Sequence, residues 1–88
     1  MPLISSFYGI LVYIFKELGG VHKKPHVHAI FGADKLSIAF DGEILAGSLP
    51  RKQQKLVEAW VALHEDELNA SWIALNENGE VLKIRGLE

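Results

Sequence analysis

Short apolar runs in the first half of the chain predict β-strands. Residues 8–15 are rich in branched and aromatic side chains and are followed by Gly19 and Gly20, a pattern typical of a strand that ends in a turn. Both sets of alternate positions in this run are apolar. We therefore expect both faces of this first strand to be covered.

Alternating apolar positions predict two further strands, over residues 26–31 and 36–40, with a short loop at 32–35 between them. Asp41-Gly42, which precedes the apolar residues of 43–45, is typical of a type I′ hairpin turn. The strands therefore follow one another as an antiparallel meander.

After Ser48 the apolar spacing changes to the period of a helix. The hydroxyl of Ser48 is a typical N-cap, and Pro50 suits the first helical turn. The apolar positions then form two stripes, which are Leu56, Trp60 and Leu63, and Leu68, Trp72 and Leu75. On one straight helix these stripes would lie roughly 120° apart, so a single helix would face two ways.

The two stripes predict a helix that breaks or bends near residues 64–66. Asp66 is a suitable N-cap for the second helical segment, which we expect to end at 78–79. Residues 81–85 then predict a last strand, with Leu82 and Ile84 facing inward. The predicted fold class is α+β, an antiparallel β-meander of four to five strands packed on one broken or bent C-terminal helix with two helical segments.

The chain fits one small domain, residues 1–88, whose core could be completed by a second chain. Its composition, 49% hydrophobic and 23% charged, excludes a disordered protein, and without cysteine there is no disulfide to stabilise so small a core. One helical layer covers only one face of a sheet, whereas the first strand is apolar on both. The second face is covered either by long side chains and loops, or by a homodimer or a small neighbour-encoded partner.

Charge argues against non-specific binding to duplex nucleic acid, because the net charge is −2. Residues 1–57 carry seven Lys and Arg against four Asp and Glu, and residues 58–88 carry two against seven. This split fits solvated faces, a self-complementary dimer or a basic site on an acidic protein. The apolar run at 10–15 is far shorter than the roughly twenty residues of a membrane span, and no cation precedes it as in a secretory signal. We expect a cytoplasmic protein that does not enter the membrane.

Pro25-His26-Val27-His28 is the segment most suggestive of chemistry. His26 and His28 lie two apart on a predicted strand, so both imidazoles point to one face, with Cα atoms about 6.5–7 Å apart. They could act as a catalytic acid or base, bind an anion, supply two ligands to a divalent metal, or simply pack at a surface. A metal needs three or four ligands, so we predict no cofactor. The candidates for further ligands have no diagnostic spacing and are His22, Asp34, Asp41 and His64.

Arg51, Lys52 and Lys55 place three cations at the predicted helix start, where the helix dipole also favours an anion. Together with His26 and His28 they could line a site for phosphate or an RNA backbone, with a histidine as general acid or base in a metal-independent cleavage. The alternative interpretation is that these cations are solvated.

The other distinctive residues suit structural roles. Trp60 and Trp72 each lie within an apolar stripe and are predicted to anchor the core. The acidic residues 65–67 point in different directions on a helix and are predicted to be solvated. The chain contains no nucleophile elbow, phosphate-binding glycine loop or dinucleotide fingerprint.

Several short motifs follow one another along nearly the whole chain, among them Pro25-His26-Val27-His28-Ala29, Gly47-Ser48-Leu49-Pro50-Arg51 and Trp60-Val61-Ala62-Leu63-His64. In these motifs the chain resembles a small bacterial and archaeal family, domain of unknown function four-one-six-zero. The Pro-His-x-His-Ala pattern of that family falls on Pro25, His26, His28 and Ala29, and its Leu-Pro-Arg helix start on Leu49, Pro50 and Arg51. Val27 departs from the aromatic residue usual between the histidines, and the loop at 19–24 departs from the usual acidic or Asn-rich loop.

The resemblance implies a possible partner, since family members are often encoded beside another small domain of unknown function and some are described as the toxin half of a toxin–antitoxin pair. One hypothesis is therefore a toxin that acts on RNA or another anionic target through the histidine face. The other is a non-catalytic binding or assembly module, with the histidines in an interface. The resemblance favours the first hypothesis, and the lack of a recognisable catalytic set favours the second, so whether the protein is an enzyme stays open.

Overall fold

A computed structural model of the protein describes residues 2–14 and 24–87. Five antiparallel strands form one sheet in the order β1-β2-β3-β4-β5, and two helices follow. The strands are β1 Leu3–Phe7, β2 Ile10–Tyr13, β3 His26–Phe31, β4 Asp34–Ala39 and β5 Ile44–Gly47, and the helices are α1 Arg51–Leu63 and α2 Glu65–Asn78. The predicted α+β meander with two helical segments is confirmed.

The first hairpin differs from the prediction of one strand over residues 8–15. β1 and β2 are joined by Tyr8 and Gly9, which have φ angles of 49° and 77°, so this is the two-residue type I′ turn of the sheet. Tyr8 is therefore a turn residue and not a strand residue. The prediction missed β1 because Ser5 and Ser6 interrupt its apolar pattern; Phe15 lies outside the described residues.

The next two turns also differ from their predicted form. β3 and β4 are joined by the two residues 32–33, with φ 61° at Gly32, so β4 begins earlier than predicted. Asp41 and Gly42 lie in the four-residue loop 40–43, and only Gly42 has a positive φ, so the predicted type I′ turn is wrong there. The Asp41 side chain instead accepts a hydrogen bond of 3.0 Å from the Glu43 N–H.

The sheet buries one face of β2 and leaves the other partly open. Ile10, Val12 and Ile14 are at most 1% exposed. On the opposite face Leu11 is 39% exposed and Tyr13 is half-buried. Within the described residues this second face is only partly covered, and its cover by a second chain stays a prediction.

Helix α1 packs on the buried face of the sheet. Val57, Trp60 and Val61 are fully buried, the i, i+3, i+4 spacing of one helical face. The rings of Trp60 and Phe7 lie 5.5 Å apart between centroids. The predicted stripe was correct at Trp60 but wrong at Leu63, which is 71% exposed because it falls outside this face.

The break between the helices is at His64, as predicted. Its backbone (φ −115°, ψ 23°) lies between α1 and α2, and no side chain caps either helix there, so Asp66 is a first-turn residue and not the predicted cap. α2 buries Leu68 and Leu75 and half-buries Trp72, and it ends at Gly79 in the left-handed conformation. No helix in the described ranges is long and apolar enough to cross a membrane.

The start of α1 is held differently from the prediction. Ser48 does not cap the helix; Pro50 occupies the N-cap position, without a side-chain hydrogen bond. The side chain of Gln54 reaches back instead, and its Oε1 accepts a 3.0 Å hydrogen bond from the Leu49 N–H.

Residues 79–87 lie across the body of the protein as an irregular tail, and the predicted last strand is wrong. The Ile84 N–H donates to the Ile4 carbonyl of β1 at 2.8 Å, and Ile84 is buried, but Leu82 is 40% exposed. The Trp60 indole N–H donates to the Arg85 carbonyl at 2.9 Å, and the Ser71 hydroxyl to the Leu82 carbonyl at 2.8 Å. The tail is thus tied to the sheet and to both helices.

Candidate functional site

His26 and His28 lie side by side on β3, as their spacing predicts. They pair across the sheet with Ala39 and Ser37 of β4, and their ring centroids are 5.0 Å apart in an edge-to-face arrangement. His26 is buried, with 4% of its surface exposed, and His28 is half-buried. The strand geometry therefore holds the two imidazoles in contact, and they are not two independent surface groups.

Hydrogen bonds orient both imidazoles. His26 Nδ1 lies 2.7 Å from the Lys24 carbonyl oxygen, which can only accept, so Nδ1 carries the proton and Nε2 holds the lone pair when the ring is neutral. His28 Nδ1 lies 3.1 Å from the Ser37 hydroxyl. The indole of Trp72 lies 6.5 Å from the His26 ring, so an aromatic residue of α2 borders the pair.

The described structure adds no metal ligands to the histidines. Within residues 2–14 and 24–87 no group of three or more His, Asp or Glu side chains could hold a metal ion. Asp34, Asp41 and His64 therefore do not join His26 and His28 as the ligands considered above, and His22 lies outside the described residues.

The three predicted cations do not form one cluster. Arg51 and Lys55 are one helical turn apart and line a depression of about 410 Å³ together with Glu58. Lys52 faces a second depression, of about 500 Å³, which Tyr8, Gln53 and Leu56 also line. The helical rotation of about 100° per residue separates Lys52 from its neighbours.

The sheet separates the histidines from the cations. α1 packs through Trp60 against Phe7, which pairs with Ile10 on the buried face of the sheet. His28 pairs with Tyr13, and directly opposed residues share a face, so His28 points away from α1. Neither depression on α1 is lined by His26 or His28, and the structure does not bring the two sets into one pocket.

The side of the sheet that faces away from α1 carries a contiguous apolar surface, which we call the open sheet face. Its members are neighbours across three strands and are Leu3, Leu11, Tyr13 and Ile30. Leu3 and Leu11 are 38% and 39% exposed, and Tyr13 and Ile30 are half-buried. The apolar second face of the predicted first strand was the signal for this surface.

Lys24 forms an ion-pair cluster with Asp41 and Glu43 that was not predicted from the sequence. Its Nζ lies 2.5 Å from Asp41 Oδ2 and 2.7 Å from Glu43 Oε1. The hydrogen bonds that Lys24 donates to Asp41 and then to Glu43 raise the pKa of Lys24, and the bond from Lys24 chiefly lowers the pKa of Asp41. The meander itself could have revealed the cluster, since residues just before β3 lie beside those just after β4.

Comparison with known proteins identifies a family over most of the chain. A protein-family model described as Domain of unknown function (DUF4160) matches residues 9–73. Searches of the curated proteins and of the solved structures give no match.

Proposed function

The chain belongs to the family Domain of unknown function (DUF4160), and we propose that it is a protein-binding module that pairs with a second copy of itself through the open sheet face. The observation that carries this proposal is the exposure of Leu11 on that face, where it pairs with Ile30 of β3 and lies two residues from Tyr13, the partner of Leu3. Contiguous exposed apolar surface on a small protein marks an interaction site.

The charge on the open sheet face favours a second copy as the partner. Among the described paired residues that share this face, only Lys35 carries a full charge, and it lies opposite Ile30 near the β3–β4 turn. Two identical faces can therefore be brought together with little like-charge repulsion. A two-fold axis would place the same apolar patch of each protomer against the other.

The test compares two exposed leucines with the same substitution. Leu11→Lys puts a charge into the open sheet face, whereas Leu63→Lys puts the same charge on α1, away from that face. Light scattering at micromolar concentration is expected to give a dimer for the native chain and for Leu63→Lys, and a monomer for Leu11→Lys. A monomeric native chain contradicts self-pairing; if it then binds a co-expressed neighbour-encoded protein through Leu11, the occupant is a different chain.

A second candidate is the toxin component of a toxin–antitoxin-like pair that acts in the cytoplasm on RNA through the histidine pair. The observation that favours it is the fixed geometry of His26 and His28, whose ring centroids lie 5.0 Å apart while His26 Nδ1 contacts the Lys24 carbonyl. Imidazole is the side chain that most often serves as a general acid or base. Because α1 lies on the other side of the sheet, Arg51, Lys52 and Lys55 would bind an anion separately from this pair.

Expression of the chain alone tests the toxin hypothesis. Growth arrest and RNA cleavage are expected for the native chain and for His64→Gln, a histidine outside the pair, and loss of both for His26→Gln and His28→Gln in protein that remains folded. Healthy growth without RNA cleavage contradicts the hypothesis and leaves the binding module unaffected.

A further inference from the structure

The depression between the β1–β2 turn and α1 has the size of a small-molecule site. Its volume is about 500 Å³, within the range of about 300–1,000 Å³ that small-ligand sites occupy. One wall is the side chain of Tyr8 in the turn, and the other is formed by Lys52, Gln53 and Leu56 of α1. It lies apart from the histidine pair.

Tyr8 is an unusual residue for its place in the turn. The first central position of a type I′ turn requires positive φ, and Asn, Asp or Gly normally occupies it. Here a bulky ring adopts φ 49° and remains 53% exposed, so about half of its surface is accessible to a ligand. Gly9 holds the turn close to Phe31, since a Cβ at Gly9 would lie 3.3 Å from the Phe31 ring.

The polar side chains of this depression suit an anion with a planar group. Lys52 supplies a cation, and the side-chain amide of Gln53 can both donate and accept hydrogen bonds. The described lining includes no carboxylate. In the neighbouring depression, by contrast, Glu58 stands beside Arg51 and Lys55, and none of the described lining residues is aromatic.

We propose that this depression binds a nucleoside phosphate, with the base stacked on the Tyr8 ring, the phosphate paired with Lys52 and the base edge bonded to Gln53. Aromatic stacking combined with a cation is the way proteins bind single nucleotides of RNA without reading a fixed sequence. The same chemistry is presented by a free mononucleotide and by a nucleotide within single-stranded RNA.

Binding is measured on the full chain by NMR titration with AMP, UMP and inorganic phosphate, and by anisotropy with fluorescein-labelled oligo(A) and oligo(U). Shifts are expected in the amides around Tyr8, Lys52 and Gln53 for the nucleotides. Tighter binding of the oligonucleotides than of AMP and UMP identifies RNA as the source, and equal binding identifies free nucleotides.

Two pairs of variants test the roles of the ring and the cation. Tyr8→Asn suits the positive φ and keeps the turn, yet it should weaken nucleotide binding at least about five-fold, the lower limit of base–aromatic stacking, whereas Tyr8→Phe should retain it. Lys52→Gln should weaken binding, whereas Lys55→Gln, with the same charge change on the other depression, should not.

Three results would overturn the proposal. They are nucleotide shifts confined to another surface, native affinity in folded Tyr8→Asn, and equal weakening by Lys52→Gln and Lys55→Gln. A fourth result would exclude a contribution from stacking. It is displacement of bound AMP by inorganic phosphate as effective as displacement by UMP. Because the depression lies apart from the open sheet face, these results are independent of whether the protein forms a dimer.

Discussion

At the scale of single residues, two glycines with similar backbone conformation differ in the space available for a side chain. Gly32 and Gly47 have similar φ angles, 61° and 72°. A Cβ at Gly32 would meet open space, whereas at Gly47 it would overlap the Lys35 carbonyl oxygen, which accepts the Ser48 N–H at 3.1 Å. The link between β5 and α1 therefore depends on the absence of a side chain at Gly47.

Substitution of these two glycines by alanine is expected to lower the free energy of unfolding by different amounts. Gly32→Ala should lower the free energy of unfolding by about 1–2 kcal/mol, because an L-residue is strained at positive φ. Gly47→Ala should lower it by about 1–3 kcal/mol more, because the backbone must also move to relieve the overlap. Urea denaturation measures both values, and equal losses would show that the overlap is relieved without cost.

The Lys24 cluster predicts a pH dependence at both ends of the scale. Folding lowers the pKa of Asp41 below its ordinary 3.8, so this stabilisation is present above that pH and is lost as pH falls through the folded pKa. Folding raises the pKa of Lys24 above 10.5, so its contribution is present below that pH and is lost as pH rises through the folded pKa.

Asp41→Asn should flatten the profile of stability against pH at the acid end. The effect should be small and should shrink in salt, because these side chains are about half exposed to solvent, with 44% for Lys24 and 50% for Asp41. Denaturation midpoints from pH 2 to pH 7 check this; identical profiles for native and Asp41→Asn would contradict it.

At the scale of elements, what the sequence predicted well was governed by local periodicity. The bounds of β3 and the break at His64 were correct, because each follows from side chains that alternate or rotate within one element. β1 was missed because Ser5 and Ser6 interrupt its apolar pattern. The tail was wrong because it is held by a distant residue: the Ile84 N–H donates to the Ile4 carbonyl, across nearly the whole chain. The type I′ turn predicted from Asp41-Gly42 was wrong because these residues lie in a four-residue loop and not in a two-residue turn.

Alanine substitutions at two serines compare the N-cap predicted at Ser48 with the hydrogen bond observed at Ser71. Ser71→Ala should lower the free energy of unfolding by about 1 kcal/mol, because the buried hydroxyl of α2 holds the Leu82 carbonyl of the tail. Ser48→Ala should change it by less than about 0.5 kcal/mol, because Ser48 is exposed and does not cap α1. A loss near 1 kcal/mol at Ser48 would instead restore its predicted role as N-cap.

At the scale of the whole molecule, the candidate site was only partly predictable. Spacing alone placed His26 and His28 together, because neighbours on one strand face are set by local geometry. Their separation from Arg51, Lys52 and Lys55 could not be foreseen, because it depends on which side of the sheet α1 packs. That Tyr8 and Lys52 line one depression is likewise the result of packing between two elements, which no local pattern encodes.

If the open sheet face pairs two copies, thermal stability must depend on protein concentration. Association stabilises only the folded chain, so the Tm should rise over a roughly hundred-fold increase in concentration, by about 4–8 °C for each kcal/mol gained in a protein of this size. Leu11→Lys should remove this dependence and Leu63→Lys should retain it. Differential scanning calorimetry checks the expectation, and a constant Tm for the native chain would argue for a monomer.

The tail across β1 has a consequence for how copies of this protein can aggregate. A sheet with two bare edges can add strands on both sides and grow into a fibre. Here the β1 edge is bonded to Ile84 of the tail, and the other edge strand, β5, has only four residues and ends at Gly47. Uncontrolled growth of the sheet is therefore hindered at both edges, whereas the open sheet face stays accessible for specific association.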